Sequence, residues 1–177
     1  MKDPNRVLTI EDIMGIQTFP MIVFSDALRS WIGTAIKVHQ AWSYNHVMWL
    51  IAPGVLASQD ATFKTVPLSD YLQGGHRLKF WTNPRWTDEE RLRILQAIAA
   101  DLELPWYRRL YDPVAIVGQA LHLDWIQLPF VQICSDRASY LSLVDPEYDL
   151  KHPDPADVNR WLDSRGIYNV YGRFIPD

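Results

Sequence analysis

A single cysteine, Cys134, stands in the 177 residues. That scarcity excludes an internal disulfide and any site assembled from several thiolates. A basic surplus is missing as well: 17 Lys and Arg against 21 Asp and Glu leave a formal net charge of -4. The chain therefore lacks the electrostatic footprint that a phosphate backbone requires, and no nucleic-acid partner is expected. No apolar run reaches the roughly 18 residues of a membrane-spanning helix. The N-terminal stretch carries Glu11 and Asp12 where a secretory leader is continuously apolar. The expectation is a chain without membrane span or signal peptide, cytoplasmic or carried in a virion. The five histidines include no HExxH pairing, so neither a metal nor another cofactor is expected.

Apolar and aromatic side chains are plentiful. Hydrophobic residues make up 48% of the chain, with 8 Trp and 8 Tyr, enough for a substantial core. No repeat, low-complexity tract or long linker divides it, and one domain over residues 1–177 is the economical reading. Met21 to Phe24 is a short apolar strand, followed by a helical stripe through Leu28, Trp31, Ile32, Ala35 and Ile36. His46 to Ala52 reads as a buried strand, Pro53-Gly54 as a turn, and Val55 to Gln59 as its hairpin partner. Further strands are expected around Phe63 to Val66 and Leu78 to Trp81.

Thr87 followed by Glu90 has the spacing of a capping box, and Leu92, Leu95, Ile98 and Leu102 continue a helix until Pro105. Asp112-Pro113 opens a shorter helix through Val114, Val117 and Leu121, and Cys134-Ser135-Asp136 opens another. Asp154-Pro155 starts the last helix, Gly166 ends it, and Ile167 to Phe174 forms a final strand. The sum is an α+β domain with mainly antiparallel strands packed against helices.

Two side chains stand out for chemistry. A thiol is a weak nucleophile at its ordinary pKa of roughly 8.5, but a helix start and a neighbouring imidazolium favour the thiolate. Cys134 follows the apolar run Pro129 to Ile133 and begins a helix. His46 opens a strand that can hold its ring rigidly. Left alone, each has a bland reading, as a small buried hydrophobe and as a backbone-bonded strand-edge histidine. The Cys134 amide, at a helix start, suits half of an oxyanion hole. Gln59 either orients His46 through its carbonyl oxygen or is ordinary polar surface. Tyr44 and Trp42 either line a substrate cleft or pack in the core, and Trp81 and Trp86 read more simply as packing than as a sugar platform.

The order of these motifs resembles the circularly permuted papain-like amidases, the YiiX-like branch of the NlpC-type cysteine peptidases, related to lecithin retinol acyltransferase. The resemblance spans roughly Phe19 to Trp161. It rests on Tyr44-Asn45-His46-Val47 opening a strand, Gln59 on the hairpin partner, Pro67-Leu68-Ser69-Asp70-Tyr71-Leu72 before a helix, Leu104-Pro105-Trp106-Tyr107 after a long helix, and Cys134-Ser135-Asp136. Histidine precedes cysteine here, as the permutation requires. Asn45, Gln59 and Asp136 depart from the family's usual serine, acid (or asparagine or histidine) and glutamate.

The resemblance implies a papain-like fold and a thiol hydrolase that cuts an amide or peptide bond, with peptidoglycan stem peptides as a substrate class. Cys134 would attack, His46 would act as base and then acid, and Gln59 would orient the ring. Ester hydrolysis or acyl transfer on a lipid passes through the same thioester. The rival reading is a structural or adaptor module of this fold, for example in a phage tail, assembled into a larger complex without turnover.

Overall fold

The structure, a computed structural model, describes residues 6–26, 44–110, 134–151 and 153–176. The helices expected after residues 27 and 112, the apolar run before Cys134, and Trp42 lie outside the described residues.

Six strands form one sheet: β1 (Met21–Asp26), β2 (His46–Ala52), β3 (Val55–Gln59), β4 (Phe63–Pro67), β5 (Arg77–Thr82) and β6 (Asn169–Phe174). Their order across the sheet is β4-β3-β2-β1-β5-β6, and every neighbouring pair is antiparallel. The architecture is α+β, as the sequence indicated. Gly54 turns the β2–β3 hairpin at φ 67°, in the left-handed region that glycine enters without a Cβ penalty.

Because strand side chains alternate, each face of the sheet buries its own set of residues. One face carries Ile22, Phe24, Val47, Trp49, Ala57 and Trp81. Against it pack Ile94 and Ile98 of α3 (Asp88–Leu102), Ala138 and Leu141 of a 3₁₀ helix (Cys134–Leu143), and Val158 and Leu162 of α4 (Pro155–Arg165). The other face carries Met21, Val23, Met48, Leu50, Leu56 and Phe80. It is covered by Ile13 of the short α1 (Ile10–Met14) and by Leu68 of α2 (Leu68–Gln73). Leu8 completes this second layer by lying directly over Gly172, where an added Cβ would come within 2.6 Å of its Cγ.

The caps explain where the helices begin. Thr87 Oγ1 accepts from the Glu90 amide while the Glu90 carboxylate accepts from the Thr87 amide at 2.7 Å, which starts α3. Asp154 and Asp157 make the same reciprocal pair at the head of α4, with Pro155 in its first turn and Gly166 at φ 62° closing it. The helix begun by Cys134 is a 3₁₀ helix throughout its ten residues. Its buried positions explain the tighter winding. Cys134, Arg137 and Tyr140 form one column and Ser135, Ala138 and Leu141 a second, which is the period of three that a 3₁₀ helix aligns.

Candidate functional site

His46 is the first residue of β2 and lies opposite Ser25 of β1 in the strand register. Cys134 is the first residue of the 3₁₀ helix. Ten residues of that helix are held across β2 and α3 by an apolar column and by Arg137, whose carbonyl accepts from Trp49 Nε1 at 3.0 Å. Two elements distant in sequence thus end at the same place, and Cys134 is among the groups that raise the pKa of the His46 imidazole.

The other side of the imidazole meets a compact group of oxygens. Nε2 of His46 lies 2.8 Å from Ser58 Oγ and 3.3 Å from Asp60 Oδ1. Ser58 donates to Asp60 Oδ1 at 3.0 Å, and the Tyr71 hydroxyl donates to the same oxygen at 3.2 Å while lying 3.1 Å from Ser58 Oγ. Burial opposes a charge on His46, but Cys134 and Asp60, each as hydrogen-bond partner and as negative charge, push its pKa from 6.5 up to about 10. Asp60 shifts the other way. Burial raises it, but the bond and charge of His46, with help from Ser58 and Tyr71, bring it down from 3.8 to about 2. The arrangement favours an imidazolium at neutral pH, with Cys134 on one side and the Asp60 carboxylate on the other.

Gln59 is not among the partners of His46. Met48 pairs with Ser58 in the β2–β3 register, so Ser58 and Asp60 share the His46 face of the sheet while Gln59 points through the other. Its carboxamide donates to the Arg109 carbonyl at 2.9 Å and accepts from Arg137 Nε at 3.1 Å. Arg137 also binds Asp101, donates to Tyr140 Oη at 3.1 Å and lies 4.0 Å from the centre of the Phe63 ring. Gln59 therefore belongs to the buried polar network that seats the 3₁₀ helix. The sequence signal that could have found Asp60 is the alternation itself, since it lies two residues beyond Ser58 in phase with His46.

Tyr44 packs edge-on against Phe24, with 6.5 Å between ring centres, and borders the core beneath α3. Trp81 is buried in that core and Trp86 meets Tyr168 edge-on, with 5.8 Å between ring centres, so their packing reading holds. Cys134 itself is 3% exposed. Two buried hydroxyls, Ser25 across from His46 and Ser135 after Cys134, have no hydrogen-bond partner among the described residues, the kind of group that a water or ligand completes.

Comparison with solved structures places the fold beside that of the metalloprotein yiiX from Escherichia coli O157:H7. The two share 16% identity over 89% of this chain and 87% of that one, with a TM-score of 0.51. At this identity the likeness is one of fold, and it agrees with the YiiX-like, papain-like architecture. No family model matches the sequence, and no curated protein does. Among the described residues no group of three or more His, Cys, Asp or Glu side chains is placed to hold a metal ion. None of the described helices is long and apolar enough to cross a membrane.

Proposed function

We propose that the chain is a cysteine hydrolase acting on an amide or peptide bond through an acyl-enzyme on Cys134. The observation that carries this reading is the line His46, Ser58 and Asp60, with Nε2 of the imidazole 2.8 Å from Ser58 Oγ and 3.3 Å from Asp60 Oδ1 and with Cys134 and Asp60 both raising the pKa of the ring. With Nε2 occupied by Ser58 and Asp60, Nδ1 is the ring nitrogen that serves the thiol. The thiolate attacks the carbonyl carbon, and the Cys134 amide at the start of the 3₁₀ helix suits the developing oxyanion. The imidazolium gives its proton to the leaving amine. As a neutral base it then takes a proton from water, and the hydroxide displaces the thiolate from the thioester.

Peptidoglycan stem peptides are the substrate class that the YiiX-like, papain-like resemblance favours, and lipid esters or acyl transfer follow from the same intermediate with a different acyl donor or acceptor. The burial of Cys134 favours one competing reading, a structural or adaptor module such as a phage-tail component. Iodoacetamide separates the two. Labelling of native Cys134 at neutral pH, with turnover of peptidoglycan fragments, peptides or acyl esters that Cys134→Ala abolishes, supports the hydrolase; labelling only after denaturation, with no turnover, supports the adaptor.

A further inference from the structure

Every proton in the Ser58, Asp60 and Tyr71 group is directed toward one oxygen. His46 Nε2–H donates to Ser58 Oγ at 2.8 Å, Ser58 in turn donates to Asp60 Oδ1 at 3.0 Å, and Tyr71 closes the circuit from α2 at 3.1 and 3.2 Å from the two oxygens. Ser58 is buried within β3, but Asp60 lies one residue beyond the end of that strand, so a bond between neighbours two residues apart does little to fix the carboxylate. The Asp60 side chain is 39% exposed, and a half-exposed carboxylate at the end of a strand samples several rotamers unless another element holds it. Tyr71 is that element's contribution.

The seat of α2 is firm. Leu68 is fully buried, its amide donates to the Gly54 carbonyl at 2.9 Å, and the Tyr71 ring lies 5.1 Å from that of His76, whose Nδ1 is 2.9 Å from the Asp26 carbonyl oxygen. We propose that Tyr71 is a positioning residue of the thiol–imidazole site, holding Asp60 Oδ1 and Ser58 Oγ in line with His46 Nε2. Ser58 is the link through which the carboxylate reaches the ring, since it is nearer to Nε2 than Asp60 is. Burial, the first cause, and the Asp60 charge both raise the Tyr71 pKa, so the phenol keeps its proton and remains a donor at every pH at which the site is charged.

This inference rests on the proposed thiol–imidazole reading, and its test has one readout that does not depend on the thiol. Tyr71→Phe removes one oxygen and keeps the ring. The expected result is a lower titration midpoint for the His46 imidazole, followed by NMR, and a fall of about tenfold per unit of that shift in the share of imidazolium above the midpoint. Alkylation of Cys134 by iodoacetamide should slow at neutral pH and match the parent at high pH, where the thiolate forms without help.

An unchanged His46 titration in a folded Tyr71→Phe protein overturns the proposal whatever the thiol does. Unchanged alkylation in His46→Ala overturns the hydrolase reading instead and leaves the imidazole titration decisive for Tyr71. Because Tyr71 acts through Asp60, Tyr71→Phe in an Asp60→Asn background should give no further shift, and additive shifts would also defeat the assignment. Should Tyr71→Phe fail to fold, Ser58→Ala interrupts the same circuit, and a parental His46 titration there is the overturning result.

Discussion

Ser58 and Gln59 are sequence neighbours whose side chains leave β3 on opposite faces, and this divides chemistry from architecture. Ser58 lies 2.8 Å from the His46 ring, while Gln59 donates to Arg109 and accepts from Arg137 beneath the 3₁₀ helix. Asp60, in phase with Ser58, supplies the charge that a glutamine cannot.

Asp60→Asn and Gln59→Ala should consequently fail in different ways. Asp60→Asn removes the negative charge facing His46 and should slow neutral-pH alkylation of Cys134 by about tenfold or more, and it should also forfeit the neutral-pH stability that the His46–Asp60 pair contributes. Gln59→Ala leaves the Arg137 Nε donor and the Arg109 carbonyl acceptor without their partner and should lower stability by about 1–3 kcal/mol. Denaturant titrations paired with alkylation rates check both, and a Gln59→Ala protein that is stable but slow would return the orienting role to Gln59.

Cys134→Ala should fold like the parent, within about 1 kcal/mol, since it removes one buried sulfur. Turnover and alkylation should vanish together. His46→Ala should retain the thiol and react slowly with iodoacetamide, which mass spectrometry of the intact chain reads directly.

The site also sets a pH dependence of stability. His46 is raised from 6.5 to about 10, so its contribution is complete below about 6.5 and is lost as pH rises toward 10. Asp60 is lowered from 3.8 to about 2, so its contribution is present above about 3.8 and is lost as pH falls toward 2. Unfolding free energy from these two groups should peak between those limits and decline on the alkaline side. In His46→Ala that alkaline decline should be absent from denaturation curves taken across pH.

Asp101→Asn tests the seat of the 3₁₀ helix. Arg137 is 3% exposed and pairs with Asp101, which also accepts from Tyr140 Oη at 2.6 Å. Leaving that guanidinium without a counter-charge should cost about 3 kcal/mol. Alkylation of Cys134 should change as well, because the helix that presents it loses its anchor. A stability equal to the parent's would show that Gln59 and Tyr140 suffice to hold Arg137.

Gly172→Ala tests the second layer. The added methyl would meet Leu8 Cγ at 2.6 Å, and displacing Leu8 should lower stability by about 1–3 kcal/mol. The His46 titration should be unaffected, since Gly172 lies on the edge strand β6, with β1 and β5 between it and β2. Thermal unfolding and the imidazole resonances check the two halves of that expectation.

The sequence by itself determined the elements. Short continuous apolar runs placed β1 and β2, the Pro53-Gly54 turn placed β3 as a hairpin partner, the Thr87–Glu90 spacing and Asp154-Pro155 placed the starts of α3 and α4, and Gly166 placed an end, because backbone preference and capping act over a few residues. His46 and Cys134 were legible as candidates for the same reason, each at the head of its element. Tertiary structure decided the partners. That Asp60 and Ser58 face His46, that Gln59 serves Arg137, and that Tyr71 reaches across from α2 depend on strand register and on the seating of helices far apart in the chain. The 3₁₀ winding after Cys134 likewise answers to two columns of contacts on the sheet. Local sequence sets which way a strand alternates, and only the packed fold sets what stands opposite each side chain.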